Sequence, residues 1–189
     1  MDILFFRSEG RSGGGGGWID PPALAGLQLQ VWRPSCFDLK PRGLPWLPFA
    51  TWWFFHYLAI FRSRRYRIAV LTQAGRIVHR SCVFPAFFRF PFMAPRDVQV
   101  GDIWTAEAQR GRGLSAAVLK YIIHVNADVD VWLVCSVGNP ASVNLARSAG
   151  MKLYGRGARE ARFGLKLLGR FVVRSVEEAG GGCGCPDSR

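Results

Sequence analysis

The sequence predicts a single mixed α/β domain in which a sheet is flanked by helices. Of the 189 residues, 49% are hydrophobic and 13% are aromatic. This is ample material for a packed core, and it excludes a wholly disordered chain. Strand-like and helix-like patterns follow one another in the order strand, helices, three strands, helix, strand, helix and closing strands. The length fits one domain of ordinary size.

Two glycine runs set the expected limits of the folded part. They lie at residues 13–17 and 180–182. Because glycine has no side chain whose contacts could offset the entropy lost on ordering, such runs are typical of flexible linkers. We therefore predict a flexible N-terminal segment over residues 1–26, a folded domain over 27–176, and a disordered Gly/Cys tail over 177–189.

The cysteines and the N-terminal residues favour a cytoplasmic protein. The chain has five cysteines, an odd number, and three of them are scattered singly, so no disulfide framework is expected. Cys183 and Cys185 lack the two-residue spacer and the second pair of a zinc site, and we expect no metal. The apolar run at residues 3–6 is too short for a secretory signal.

The folded part begins with a strand and an unusually apolar stretch. Residues 27–32 alternate apolar and polar side chains, as a half-buried strand does. Residues 44–61 contain no charge over a length close to that of a membrane span. However, Pro45 and Pro48 would break the first turns and His56 lies inside the stretch. A buried or interface-lying helix is therefore a better interpretation than membrane insertion.

Three strands are expected next. Residues 66–71 and 76–84 flank the sequence Thr-Gln-Ala-Gly at 72–75, and together they indicate a hairpin with glycine at the bend. A loop rich in proline and phenylalanine at 85–95 leads to a third strand at 98–105.

The second half predicts two helices with a buried strand between them. Apolar side chains recur at helical spacing after Arg112, which is typical of an amphipathic helix. Residues 131–137 form a short apolar run, as a buried strand does. Asn139 or Ser142 can cap a second helix, which Gly150 would end. The last elements are two closing strands, around Tyr154 and over 163–173.

Residues 109–115 are the segment best suited to binding chemistry. A glycine-rich turn that opens a helix leaves unpaired N–H groups at the positive end of the helix dipole, which suits a phosphate or pyrophosphate. Arg110 and Arg112 add positive charge. The spacing matches neither a Walker loop nor the dinucleotide fingerprint. A solvated turn with helix-capping glycines would show the same pattern, so the turn alone does not decide.

The turn and the segment at 139–151 together resemble the GNAT superfamily of acyl-CoA-dependent N-acyltransferases. The pyrophosphate signature of that family, Arg/Gln-x-x-Gly-x-Gly/Ala, corresponds to residues 110–115, with Ser115 at the last position. Segment 139–151 is similar to the Asn and the helix ending in Gly-Phe of that family, with Met in place of Phe. The resemblance extends over 27–176 and is strongest over 98–154.

This resemblance implies a mostly antiparallel, GNAT-like sheet that splays apart between its fourth and fifth strands. It also implies that acetyl-CoA is the co-substrate, bound in the gap, and that an amine attacks the thioester directly without an acyl-enzyme. Such a reaction needs proximity, a route for the amine proton, and help for the developing oxyanion. The positions that the resemblance assigns to acetyl-CoA are Ile103, Trp104, Thr105, Arg110, Gly111, Arg112, Gly113, Leu114, Ser115, Asn139 and Ser142.

The acid and the base are less well defined. Many relatives place a tyrosine seven residues after the Asn, where this chain has Ala146. Tyr154 is then a candidate acid, or simply a tyrosine at the core edge. Asp102 is a candidate base whose pKa would rise if it were buried, or the partner of a nearby arginine. His79 is a second candidate base, or a satisfied polar residue at the strand edge. Ordered water could also carry the proton.

The net charge of +12 is compatible with several partners. We predict an N-acetyltransferase that acts on a primary amine of a small acceptor. An amino sugar is one candidate, because residues 78–81, 88–92 and 101–105 resemble GNAT members associated with surface-polysaccharide synthesis. The alternatives are a basic nucleic-acid-binding protein, disfavoured because no RNA-binding aromatic motif is present, or a membrane-peripheral protein attached through 46–61 beside the arginines at 62–80. A homodimer is also compatible with the sequence.

Overall fold

The structure, a computed structural model, describes residues 2–10, 26–162 and 165–176. Within these ranges the chain forms one open eight-stranded sheet, three α-helices and one 3-10 turn. The elements are β1 (Asp2–Ser8), β2 (Gln28–Trp32), α1 (Trp46–Tyr57), β3 (Arg67–Gln73), β4 (Arg76–Pro85), β5 (Val98–Thr105), the 3-10 turn (Glu107–Gln109), α2 (Leu114–Val125), β6 (Val131–Ser136), α3 (Pro140–Ser148), β7 (Lys152–Arg162) and β8 (Leu165–Val176).

The strand order is β2-β3-β4-β5-β6-β1-β7-β8, and every neighbouring pair is antiparallel except β5 and β6. This parallel pair has a short register, from Val98 opposite Val131 to Val100 opposite Leu133. Beyond these residues the two strands are no longer paired. The predicted fold class, a mixed sheet that is mostly antiparallel and flanked by helices, is confirmed.

The prediction of a flexible segment over residues 1–26 is wrong for its first part. Asp2–Ser8 forms β1, which lies inside the sheet and pairs with both β6 and β7. Phe5 and Phe6 are buried at 0% and 2% exposure. A strand covered on both faces has a continuous apolar run rather than an alternation, and the short run at 3–6 is of this kind. Residues 11–25 and the tail at 177–189 lie outside the described residues.

The two faces of the sheet carry different cores. On one face α2 packs Val118, Leu119 and Ile122 against aliphatic side chains of the strands. On the other face the core is aromatic, with Phe49 of α1 and the buried ring of Tyr66 among its members. Helix α1 is the uncharged stretch of the sequence. Within the described ranges, no helix combines the length and the apolar character that crossing a bilayer requires.

Strand β1 gives a direct test of this fold. We expect Phe5→Ala to lower the free energy of unfolding by about 3–5 kcal/mol, because it removes a fully buried ring from the middle of the sheet. Phe37→Ala is the matched control, since the Phe37 side chain is 100% exposed, and it should change the stability by less than about 0.5 kcal/mol. Urea unfolding of both variants measures the difference. Equal stabilities would mean that residues 2–8 are not part of the sheet.

Candidate functional site

A cavity of about 560 Å³ opens where β5 and β6 part. It is bounded by the end of β5, the turn that opens α2, and the first residues of α3. It is therefore formed by the elements that the sequence pattern singled out. Ten of the eleven positions predicted for acetyl-CoA line it, and Arg112 does not. The ten are Ile103, Trp104, Thr105, Arg110, Gly111, Gly113, Leu114, Ser115, Asn139 and Ser142.

The glycines of the turn are required by backbone conformation. Gly111 and Gly113 have φ angles of 76° and 73°, in the left-handed region that other residues rarely adopt. A Cβ atom at either position would meet nothing within 4 Å, so space is not the reason. Gly113 is the N-cap of α2 and offers no side-chain cap. The first N–H groups of α2 therefore have no capping side chain and can bind an anion.

The two arginines of the turn have different positions. Arg110 lines the cavity and donates through Nε to the carbonyl oxygen of Thr105 at 3.3 Å. The guanidinium of Arg112 instead donates to the side chain of Gln109, which in turn donates to Gln73. Arg110 is thus the cation at the cavity wall, and Arg112 contributes charge from outside it.

Asn139 has a structural role at the opposite wall. Its Oδ1 accepts from the N–H of Ser142 at 3.1 Å, so the side chain caps α3. This cap explains why an Asn followed by a helix occurs at this point of the sequence. The Nδ2 group of Asn139 makes no hydrogen bond within the described residues and can donate to a ligand in the cavity.

His79 is buried and connects to the cavity through hydroxyl groups. Its side chain is fully buried, and burial lowers the pKa of His79 to about 4. Nδ1 lies 2.8 Å from Thr105 Oγ1, and Nε2 lies 2.9 Å from Ser81 Oγ. Thr105 Oγ1 is 3.0 Å from Ser115 Oγ, at the cavity wall. His79 is therefore neutral at physiological pH, and both of its ring nitrogens lie within hydrogen-bond distance of hydroxyl groups.

Asp102 is exposed and paired with an arginine. Arg80 donates to its carboxylate through Nη2 at 3.0 Å and through Nε at 3.2 Å, and the Asp102 side chain is 35% exposed. Asp102 is thus not a buried carboxylate. It is instead the partner of a nearby arginine, Arg80. Asp102 also has a φ of 45°, which is rare for a residue other than glycine. It lies at a bulge, because Arg80 pairs with Trp104 but Cys82 pairs with Gly101.

Tyr154 is not brought to the cavity. Its ring packs edge-on against Trp132 at a centroid distance of 4.9 Å, and the Arg7 guanidinium lies 4.8 Å from the ring centroid. Tyr154 is not among the residues that line the cavity. The structure thus places Tyr154 in the packing of the aromatic face, beside β1.

Comparison with known families identifies the chain. Residues 29–151 match the sequence profile of the acetyltransferase (GNAT) family. The chain belongs to this family. Members of the GNAT family use acetyl-CoA as a co-substrate and act on an acceptor. Comparison with curated proteins gave no match.

Solved GNAT structures give distant likenesses. A GNAT-family acetyltransferase from Novosphingobium aromaticivorans is 16% identical, with a TM-score of 0.48 over 82% of this chain and 60% of its own. The ribosomal-protein-S18-alanine N-acetyltransferase from Escherichia coli is 18% identical, with a TM-score of 0.43 over 76% and 88%. Glucosamine-6-phosphate N-acetyltransferase from Arabidopsis thaliana is 15% identical, with a TM-score of 0.42 over 72% and 99%. The chain spans 51% to 60% of the length of five solved structures that it matches, the Novosphingobium protein among them.

A second cleft of this GNAT domain meets the cavity at Trp104. The cleft has a volume of about 510 Å³ and is lined by Arg42, Arg76 and Arg80, with Leu44 and Pro45 before α1. Trp104 lines both spaces. The Arg80 guanidinium lies 5.7 Å from the ring centroid of Phe49, on the side of the sheet that α1 covers, whereas the neighbouring His79 faces α2. The side chains of Arg80 and His79 therefore lie on opposite faces of the sheet, because adjacent strand side chains point to opposite sides.

The buried His79 predicts a pH dependence of stability. Its pKa in the folded state, about 4, is below the ordinary value of 6.5. The unfolded chain therefore binds the proton more readily between these values, and stability present above pH 6.5 is lost progressively as the pH falls toward 4. Between pH 7 and pH 4.5, the native chain should lose about 2 kcal/mol more stability than His79→Gln. Urea unfolding at both pH values measures this, and an identical loss in the variant would contradict the neutral, buried histidine.

Proposed function

We propose that this chain transfers an acetyl group from acetyl-CoA to a primary amine of a small acceptor, by direct attack in a ternary complex. The observation that carries the proposal is the cavity between β5 and β6. It ends at a left-handed glycine turn whose helix N–H groups lack a capping side chain, as a pyrophosphate site requires. Acetyl-CoA is the expected co-substrate because the chain belongs to the GNAT family, whose members use it.

The cavity walls suggest how acetyl-CoA would be held. The pyrophosphate would accept hydrogen bonds from N–H groups of residues 113–116, with the charge of Arg110 beside them. One edge of β5 pairs with β6 as far as Val100, and beyond Val100 this edge has no strand partner within the described residues. An extended pantetheine arm could add to this edge along residues 103–105, as a peptide strand does. The Nδ2 group of Asn139 would donate from the α3 side.

The second cleft suggests the chemical class of the acceptor. It shares Trp104 with the cavity, so an amine bound there would meet a thioester delivered between β5 and β6. Arg42 and Arg76 line the cleft and are exposed. Guanidinium groups favour phosphate or carboxylate. We therefore infer that the acceptor carries an anionic group in addition to its amine, and an amino-sugar phosphate or nucleotide has both.

The reaction needs a proton route as well as proximity. The acceptor arrives mostly as an ammonium ion and must lose a proton before its nitrogen attacks the thioester carbon. Asp102, held by Arg80 beside the second cleft, would attract the ammonium group and pass its proton to water. The nitrogen–carbon bond then forms as the carbon–sulfur bond breaks, and the coenzyme A thiolate takes up a proton from solvent. His79 would act only by orienting Thr105 and Ser115.

Binding of acetyl-CoA can be tested without knowing the acceptor. At a hundred times its Kd, acetyl-CoA should stabilise the chain by about 2.7 kcal/mol and raise the Tm by roughly 5–10 °C. Arg110→Glu and Gly113→Val should abolish the shift, since one reverses a charge at the wall and the other disrupts the left-handed turn. Lys120→Glu is the matched control, because Lys120 is exposed on α2 and does not line the cavity. The absence of any shift at millimolar acetyl-CoA would refute the proposal.

The acceptor class can be tested by an acetyl-transfer screen. Amino-sugar phosphates, amino-sugar nucleotides and other anionic amines should be acetylated in preference to polyamines and neutral amines. Arg42→Gln together with Arg76→Gln should raise the KM for an anionic acceptor by about 10- to 100-fold, because charge-assisted hydrogen bonds are lost. The Tm shift by acetyl-CoA should remain. Arg147→Gln, an exposed change on α3, is the control, and a preference for polyamines would contradict an anionic acceptor.

A further inference from the structure

Helix α1 has an outer face that no described residue covers. Its inner side packs Phe49 and Trp52 against the aromatic core. Its outer side carries a stripe at positions 47, 51, 54 and 58, the spacing of one helix face. Leu47, Phe54 and Leu58 in this stripe are 72%, 51% and 68% exposed. The helix thus has apolar side chains on both sides, although only one side is buried.

The neighbouring turn at 35–38 extends this apolar surface. Trp53 of α1 donates through Nε1 to the carbonyl oxygen of Ser35 at 2.8 Å. A hydrogen bond between the side chains of Tyr57 and Cys36 raises the pKa of Tyr57. These contacts hold the turn against the helix, and Phe37 at its tip is fully exposed. We call the surface formed by Trp46, Leu47, Phe54, Tyr57, Leu58 and Phe37 the α1 face.

Positively charged residues flank α1 in the sequence. The sequence from residue 39 to residue 96 contains ten lysines and arginines and no acidic residue. Arg42 lies just before α1, and Arg62 and Arg64 lie just after it; all three are exposed. Burial, followed by the charge of Arg64, lowers the pKa of His56 within α1, which places Arg64 near the helix. The acidic residue of the adjoining turn, Asp38, accepts a hydrogen bond from Trp32 Nε1.

We propose that the α1 face binds the surface of a lipid bilayer that contains anionic headgroups. An apolar helix face inserts into the boundary between headgroups and acyl chains, and arginines at its margins attract anionic lipids. Trp46 and Tyr57, each with an apolar ring and a polar group, are suited to that boundary. The helix has 12 residues, which fits a position along the surface. The charge around the face selects an anionic surface over a neutral one.

This docking is independent of acetyl transfer but has a consequence for it. Residues 42–45, which wall the second cleft, lead directly into α1. A chain held on a bilayer by the α1 face would therefore present this cleft beside the headgroup layer. An acceptor that reaches the cleft would come from that layer or from the water next to it.

The test is co-sedimentation of the full chain with vesicles. Binding is expected for phosphatidylcholine mixed with phosphatidylglycerol and not for phosphatidylcholine alone. Phe54→Glu with Leu58→Glu should abolish it, because carboxylates replace the inserting side chains. Arg62→Gln with Arg64→Gln should lower the partition coefficient by about 10- to 30-fold, because two cations near the surface are lost.

Matched controls separate this site from general hydrophobicity and charge. Val176→Glu alters an apolar side chain that is 56% exposed on β8, away from the α1 face. Arg147→Gln with Lys152→Gln removes two exposed cations elsewhere. Both controls should bind like the native chain, and melting temperatures should show that every variant is folded. The proposal is overturned by absent binding, by equal binding to neutral vesicles, or by a dimer that Phe54→Glu dissociates.

Discussion

The bulge in β5 is the constraint on which the rest of the site depends. Ser81 of β4 lies opposite two residues, Asp102 and Ile103, so the register of β5 shifts in mid-strand. Asp102 is one of these two residues, and its backbone has a left-handed conformation. Arg80 donates a hydrogen bond to its carboxylate. Gly101 permits the close approach of the Gln99 amide, since a Cβ there would lie 2.9 Å from its nitrogen. Pairing with β6 ends just before the bulge, and the gap that follows is the cavity.

The bulge also separates two kinds of chemistry on the two faces of the sheet. On the α2 face, each hydroxyl in the Ser81–His79–Thr105–Ser115 chain has one proton to donate. An anion that accepts from Ser115 would require Thr105 to donate to Ser115, and the neutral imidazole to donate to Thr105 from Nδ1. On the opposite face of the sheet, the Arg80 guanidinium lies 5.5 Å from the Trp104 ring centroid and 3.0 Å from the Asp102 carboxylate. A chain of neutral groups thus lies on the α2 side of the sheet, and an ion pair lies on the side of α1.

The glycine turn could be predicted from sequence because its requirement is local. A positive φ at Gly111 and Gly113 needs glycine whatever the distant contacts are, and the following stripe shows the helix. The roles of Asp102 and His79 depend on partners 22 and 26 residues away, Arg80 and Thr105. No rule of sequence spacing predicts such pairings. The exposure of Asp102 and the neutral state of His79 could therefore not be predicted from the sequence. One part of the hydroxyl chain has a local sequence signal. His79 and Ser81 are two residues apart in β4, so their side chains point to the same face of the sheet. Strand β1 was missed because its partners lie more than a hundred residues along the chain.

The position of β1 explains why a segment at the start of the chain matters for a site formed at its centre. After Leu133, β6 has lost β5 as a partner, and Ile3, Leu4 and Phe5 pair with Val134–Ser136, the part that β5 leaves. The carbonyl oxygen of Asp2 also accepts from the N–H of Val137, two residues before Asn139. Without β1, the second half of β6 would have an unpaired backbone on both edges, and the cap of α3 would have no fixed support. The gap between β5 and β6 can therefore persist because β1 pairs with the part of β6 that β5 leaves.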